Sequence, residues 1–372
     1  MADPRYDKLA DILVNYSCRL RPGEAILIEA FDVPDELTRS LIRTAAAAGG
    51  LPLVSLRSNA VMRDLMLASS ERQMRLIGEI DAYRMSKVQA YIGVRGKPNI
   101  SEWSDVPPDK MQLYQNLWWQ PAHRDLRVEK TRWVVLRWPS PSMAQQAQMS
   151  TEQFEDFYFR VCTMDYARMS RAMKPLKALM DRTDRVRLVA PGTDLAFSIK
   201  DIPAVPCDGG RNIPDGEVYS APVRDSVQGT IRFNTETIYQ GVTHNNIRLT
   251  FRDGRVVEAE SSNSQHLATV LDTDEGARYV GEFAIAFNPY VTEPMKDILF
   301  DEKIAGSIHF TPGNAYRTAD NGNRSDIHWD MVLRMTPEAG GGEIYFDDRL
   351  IRRDGRFVLP ELEDLNPENL MD

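Results

Sequence analysis

The chain is 372 residues long, 42% hydrophobic and 27% charged, a globular, soluble composition too long for one ordinary core, so two domains are expected. Its formal net charge of -9 argues against nucleic acid as a partner, because a duplex or single strand needs a basic footprint. The three cysteines, Cys18, Cys162 and Cys207, are too few and too scattered for a disulfide framework or a thiolate metal site, which predicts a reducing compartment. No apolar signal core follows Met1, and no uncharged stretch nears the roughly 20 residues that span a bilayer. The expectation is a cytoplasmic protein with no membrane attachment.

Asp3-Pro4 reads as a helix cap with proline at the first helical position. Leu9, Ile12, Leu13 and Tyr16 then recur at helical spacing. Ala25 to Ile28 is a short apolar run of the kind a buried parallel strand shows. A second helix runs from Leu37 to Ala48 and stops at Gly49-Gly50. Strands are predicted over 51–56, 89–94 and 132–138, with a helix through Met74, Ile77 and Ile80 between the first two. Helix and strand alternate, which predicts a parallel sheet covered on both faces. A long helical stretch over 149–180 carries Phe154, Phe157, Val161 and Met164 on one face, and Pro175 should kink or break it.

After about Arg185 the pattern changes to short strands. Ile247, Leu249 and Phe251 alternate with Arg248, Thr250 and Arg252, and Asp253-Gly254 turns that strand into Val256 to Ala259. Asp354-Gly355 marks a second hairpin, and one helix over 264–272 interrupts the strands. The predicted architecture is an α/β domain over 1–185, a helix-covered parallel sheet, followed by a β-rich, mostly antiparallel domain over 186–372 that carries the metal site. The charged tail from Glu361 to Asp372 reads as a solvated end.

Six residues of the second half carry chemistry as a set: Glu217, Glu282, His309, Tyr316, His328 and Asp330. Their nitrogen and oxygen donors suit zinc, cobalt or manganese. Singly, each has a bland reading. A histidine inside Ile308-His309-Phe310 is usually a satisfied core residue, and a Gly-Glu step at a strand start is usually solvated. His328-x-Asp330 is stronger, because positions i and i+2 of a strand share a face and both heads can meet one ion. His123, past a Trp-rich helical stretch, is kept outside the set, and His244 and His266 read as surface or cap residues. The Trp118-Trp119 pair reads as packing or a dimer contact. Gly93-Val94-Arg95-Gly96 opens no Gly-x-Gly-x-x-Gly helix, and no Gly-x-Ser-x-Gly elbow is present.

At these residues the chain resembles the metallo-aminopeptidase family of aminopeptidase T, aminopeptidase S and their relatives. The likeness rests on Pro214-Asp215-Gly216-Glu217-Val218-Tyr219, Gly281-Glu282, Phe300-Asp301-Glu302-Lys303 leading to His309, Tyr316 seven residues on, and Ser325-x-Ile327-His328-Trp329-Asp330. It extends into the first half through Lys8 to Ser17, Arg21-Pro22-Gly23-Glu24 and Met149 to Phe157. Gly306-Ser307 and Phe310-Thr311-Pro312 stand where the family carries a more aliphatic run, beside the site, which bears on substrate range. The resemblance implies a cytosolic homodimer with two cocatalytic divalent metals held by Glu217, Glu282, His309, His328 and Asp330. Tyr316 and Glu217 are the catalytic candidates, and the substrates would be peptides with a free amino terminus. Two other readings stay open. A dihydroxypyridine ring-opening dioxygenase resembles this family remotely and would need only His309, His328 and Asp330 around one iron. A non-catalytic relative would bind metal or peptide without turnover.

Overall fold

A computed structural model of the chain describes residues 3–371. The chain divides into two compact units. The first runs up to Thr163 and takes in Gly209–Ile213; the second comprises Met164–Asp208 and everything from Pro214 on.

The first unit is built on a parallel sheet flanked by helices. Its strands β1 (Ala25–Phe31), β2 (Leu51–Arg57), β3 (Ala90–Arg95) and β4 (Arg132–Arg137) lie in the order β2-β1-β3-β4, and the short strand Asn212–Ile213 pairs beside β4. The central strands β1 and β3 are nearly continuous buried runs, as parallel strands between helical layers must be. Asp3 caps the first helix, Pro4–Asp11, by accepting from the Arg5 amide at 2.9 Å. The edge strand β2 departs from the expected two-sided cover: Leu51 and Leu56 are 58% and 62% exposed.

The second unit pairs two antiparallel sheets. The larger has eight strands, with Arg185–Ala190, Thr193–Ser198 and Glu343–Phe346 near its middle. The smaller has five, in the order Met331–Arg334, Ser307–Pro312, Val280–Ala286, Glu217–Ser220, Val205–Cys207. Phe197 of the large sheet packs edge-on against Phe283 of the small one at 5.0 Å, and Phe251 against Phe310 at 5.8 Å. The apolar core lies between these inner faces. The buried Arg352 donates to the carbonyls of Ala286 and Ser307, tying neighbouring strands of the small sheet.

Three sequence expectations are corrected here. The stretch over 149–180 is three helices, Thr151–Cys162, Tyr166–Ala172 and Lys174–Met180, with Pro175 starting the last rather than kinking a long one. The tail is not solvated up to Met371: Leu362 and Leu365 of the 3-10 helix Pro360–Leu365 and Leu370 of the short helix Pro367–Leu370 are buried, which the acidic composition masks. His244 is fully buried, with its Nε2 2.9 Å from Nδ1 of His266.

Candidate metal centre

All six residues singled out in the sequence lie in the second unit, and register explains why five of them converge. In the small sheet Tyr219 stands opposite Ala284, and Ala284 opposite His309. Side chains alternate along a strand, so Glu217, Glu282 and His309 share one face. Val218, Phe283, Ile308 and Phe310 point the other way, into the core. A bulge sets this register: Val280 pairs with Pro312 and Glu282 with Thr311, leaving Gly281 as the extra residue. A Cβ on Gly281 would stand 2.3 Å from the Asn314 carbonyl oxygen, so no larger residue fits that bulge. On the other side of His309 lies Val332, which puts Asp330, two residues earlier, on the same face, and His328 two before that.

The heads meet in a buried nest. His309 Nε2 lies 3.0 Å from Glu282 Oε1, and its Nδ1 3.3 Å from Glu217 Oε2. His328 Nε2 lies 3.2 Å from Asp330 Oδ1 and 3.5 Å from Glu282 Oε2. The His328 Nδ1–H donates to the Asn314 carbonyl at 2.9 Å, which turns Nε2 inward as the free donor atom. Thr311 donates to Asp330 at 2.7 Å. Three buried atoms of this nest have no hydrogen-bond partner: Glu217 Oε2, Glu282 Oε2 and His309 Nδ1. Buried lone pairs left facing one another are costly unless a cation bridges them, so this donor set fits a divalent metal. Donor atoms of Glu217, Glu282 and His309 all lie within 4.8 Å of one another, as do those of Glu282, His328 and Asp330.

The titratable groups of the nest act strongly on one another. Burial lifts the Glu217 carboxyl to about 8, against the pull of Lys303 and His309. Burial disfavours protonated His309, but Glu217 and Glu282 outweigh it and raise the ring to about 10. His328 rises to about 10 in the same way, through Asp330 and Glu282. Asp330 is held below its ordinary value, because the two imidazoles outweigh its burial.

Tyr316 stands apart from the ligand nest. It caps the short helix Arg317–Ala319, its ring 4.7 Å from that of His328 and 5.9 Å from that of Tyr219, and it is 48% exposed. The ring it touches is that of His328. Burial, then Glu282 and Asp330, hold its phenol above the ordinary value. For a residue this exposed, the two carboxylates are the durable cause.

Sequence reasoning missed Lys303 as an actor. Its side chain is 1% exposed, with the ammonium bonded to Glu217 Oε1, 2.8 Å from Glu302 Oε1 and 3.4 Å from Asp215 Oδ1. In the sequence, Lys303 stands in the Phe300-Asp301-Glu302-Lys303 run of the resemblance without a role of its own; its burial reveals the pairing. His123, His244 and His266 take no part in the nest.

A nest of carboxylate and imidazole donors on one face of a small antiparallel sheet is the donor set of a metalloprotein. The model of the thermophilic metalloprotease (M29) family matches residues 2–357, and the chain belongs to that family of metal-dependent peptidases. Among its curated relatives, aminopeptidase T of Thermus thermophilus is 26% identical, with 95% of this chain and 98% of that one aligned. Aminopeptidase PepS of Streptococcus thermophilus is 23% identical over 88% of this chain and 91% of its own. Among solved structures, wild-type AmpT from Thermus thermophilus superimposes with a TM-score of 0.76 at 22% identity, covering 96% of this chain and 99% of that one. The 2,5-dihydroxypyridine dioxygenase from Pseudomonas putida KT2440 gives 0.60 at 13% identity, covering 96% and 98%. These two structural likenesses carry the fold alone.

Proposed function

We propose that this protein is an aminopeptidase that releases N-terminal residues from peptides at a centre of two divalent metal ions, zinc, cobalt or manganese. One observation carries the reading: of three clustered donor groups, Glu217–Glu282–His309 and Glu282–His328–Asp330 share Glu282, while the third, Cys207–Asp215–Glu217, already has the Lys303 ammonium on its carboxylates. A shared carboxylate between two triads is the arrangement a bridging ligand takes. The aminopeptidase names of the full-length relatives support the substrate class.

Bound metals would supply Lewis acidity, lowering the pKa of a water and polarising the first peptide carbonyl. The rest falls to the chain's own side chains. Lys303 fixes Glu217 in place and offsets its charge. Glu217, with Oε1 held by Lys303 and Oε2 turned toward His309, is placed to exchange a proton with the attacking water. Thr311 orients Asp330, and the Asn314 carbonyl orients His328. Tyr316, beside His328 and half exposed, is placed to donate its phenol proton in a hydrogen bond to the oxygen that becomes negative as the carbonyl is attacked.

The fold it shares with a dioxygenase keeps the mononuclear iron reading as the rival. That reading needs His309, His328 and Asp330 only, and leaves Glu217 and Glu282 buried without a task. Assays with leucine p-nitroanilide and with 2,5-dihydroxypyridine separate the two. Amide cleavage without oxygen uptake is expected; oxygen uptake on the pyridine would overturn the proposal, and metal binding with neither activity would leave a non-catalytic relative. The free cysteines suit a reducing cytoplasm. In a homodimer, the exposed apolar edge around Leu51, Leu56, Val61 and Ile80 would be covered, which mass photometry tests directly.

A further inference from the structure

The parallel sheet of the first unit has its own crevice. From β1 the chain moves to β2 on one side and then crosses to β3 on the other, and the crevice beyond the carboxyl ends of strands at such a switch is where open parallel sheets bind ligands. Here the cavity measures about 240 Å³ and opens at the ends of β1, β3 and β4. The last residues of these strands form one row, because Arg57 pairs with Phe31, Phe31 with Arg95, and Arg95 with Arg137.

The arginines of that row differ. Arg57 is neutralised by Glu29 at 2.9 Å and Asp81 at 2.6 Å. The Arg95 guanidinium pairs with no carboxylate among the described residues. It lies over the Phe31 ring at 5.1 Å, and its hydrogen bond to the Tyr91 hydroxyl is long, 3.4 Å. Arg137 lines the same cavity beside it. Opposite stand two aromatic rings, Trp103 and Tyr114, packed edge to face at 5.8 Å, and one acid, Glu102. The rim is fixed rather than loose: Asn59 donates to the Gly96 carbonyl and to Asp32, and Trp103 donates to the Asn59 carbonyl at 3.0 Å. A Cβ on Gly96 would come 2.4 Å from the Asp32 carbonyl oxygen, so the strand ends can close around the cavity only with glycine there.

We propose that this crevice binds a small planar anion, a single aromatic ring system bearing one carboxylate or phosphate. The acid lies on Arg95 and the ring against Trp103 and Tyr114. Guanidinium groups bind such acids through paired, charge-assisted hydrogen bonds. The cavity is below the ~300–1,000 Å³ of drug-sized pockets, which excludes a dinucleotide and agrees with the missing glycine fingerprint.

The test is calorimetry on the full chain freed of metal by a chelator, so that no probe can bind through a metal. Benzoate and phenyl phosphate are titrated beside benzyl alcohol and phenol, their neutral counterparts. At least one acid is expected to bind about tenfold or more tighter than its neutral partner, and which one does so identifies the head group as carboxylate or phosphate. Arg95→Gln, shown folded by its melting curve, is expected to erase that difference. The proposal is overturned if neither acid outbinds its neutral partner in the unaltered protein, a comparison that needs no variant. It is equally overturned if folded Arg95→Gln binds the acid as the parent does.

Discussion

The two units bury charge in opposite ways. Around β1 and β3 the surplus is cationic: Arg57, Arg95 and Arg127 gather about Glu29 and Asp81, and the unpartnered buried atoms include Nε and Nη1 of Arg127 and Nδ1 of His123. On the open face of the small sheet the surplus is acidic. Glu217, Glu282, Asp330, Glu302 and Asp215 face one lysine and two histidines, and the unpartnered atoms are two carboxylate oxygens and a ring nitrogen. Unpartnered donors suit an anion and unpartnered carboxylate oxygens a cation, so the two units favour ligands of opposite charge.

The largest effect should come from Glu282, the residue common to both donor groups. Glu282→Ala should strip at least one metal by elemental analysis and reduce peptide hydrolysis to background. The far-UV spectrum should be unchanged, because the sheet is held by its aromatic inner face rather than by metal. A Glu282→Ala protein that keeps two metals and parental turnover breaks the comparison at its root.

Lys303→Met comes next. It leaves Glu217 and Glu302 buried beside each other without their cation, and removing one partner of a buried ion pair costs about 3–5 kcal/mol. Denaturant unfolding of the metal-free protein should register that loss; a change near zero would mean that Lys303 is not the counter-charge described here. Tyr316→Phe should keep both metals and a near-normal KM while losing about 10²–10³ in kcat, the usual value of one oxyanion donor. An unchanged kcat would return Tyr316 to a packing role against His328.

The smallest effect is a pH dependence whose sign reverses with metal. His309 and His328 have folded values near 10 against an ordinary 6.5. Their contribution to the metal-free protein is therefore complete below about 6.5 and lost as pH rises through about 10. Glu217, raised to about 8, adds a loss of the same sign as pH climbs from its ordinary 4.5. The metal-free Tm should fall across this window. The metal-loaded Tm should rise over its lower part, because protons and metal compete for the same atoms. Parallel melting curves with and without chelator check both slopes.

Much of this was legible in the sequence for physical reasons. Periodicity exposed β1, β3 and the Arg248–Arg252 strand, because each buries a continuous or alternating apolar set. The i, i+2 spacing of His328 and Asp330 announced a shared face. The convergence of Glu217 and Glu282 on His309 was legible only through the family resemblance, because physically it depends on strand neighbours distant in sequence and on the bulge at Gly281. Lys303 was quoted within a motif but its role as counter-charge was hidden, because a charged triplet looks the same whether solvated or buried. The docked tail was hidden by its acids, and the exposed β2 by apolar residues that read as core.

The most direct measurement is anomalous diffraction from crystals grown with zinc or cobalt. The account predicts two peaks per chain, both within bonding distance, roughly 2.0–2.3 Å, of the Glu282 carboxylate, one also touching Glu217 and His309 and the other His328 and Asp330. A single peak held by His309, His328 and Asp330, with Glu217 and Glu282 turned away, would contradict it.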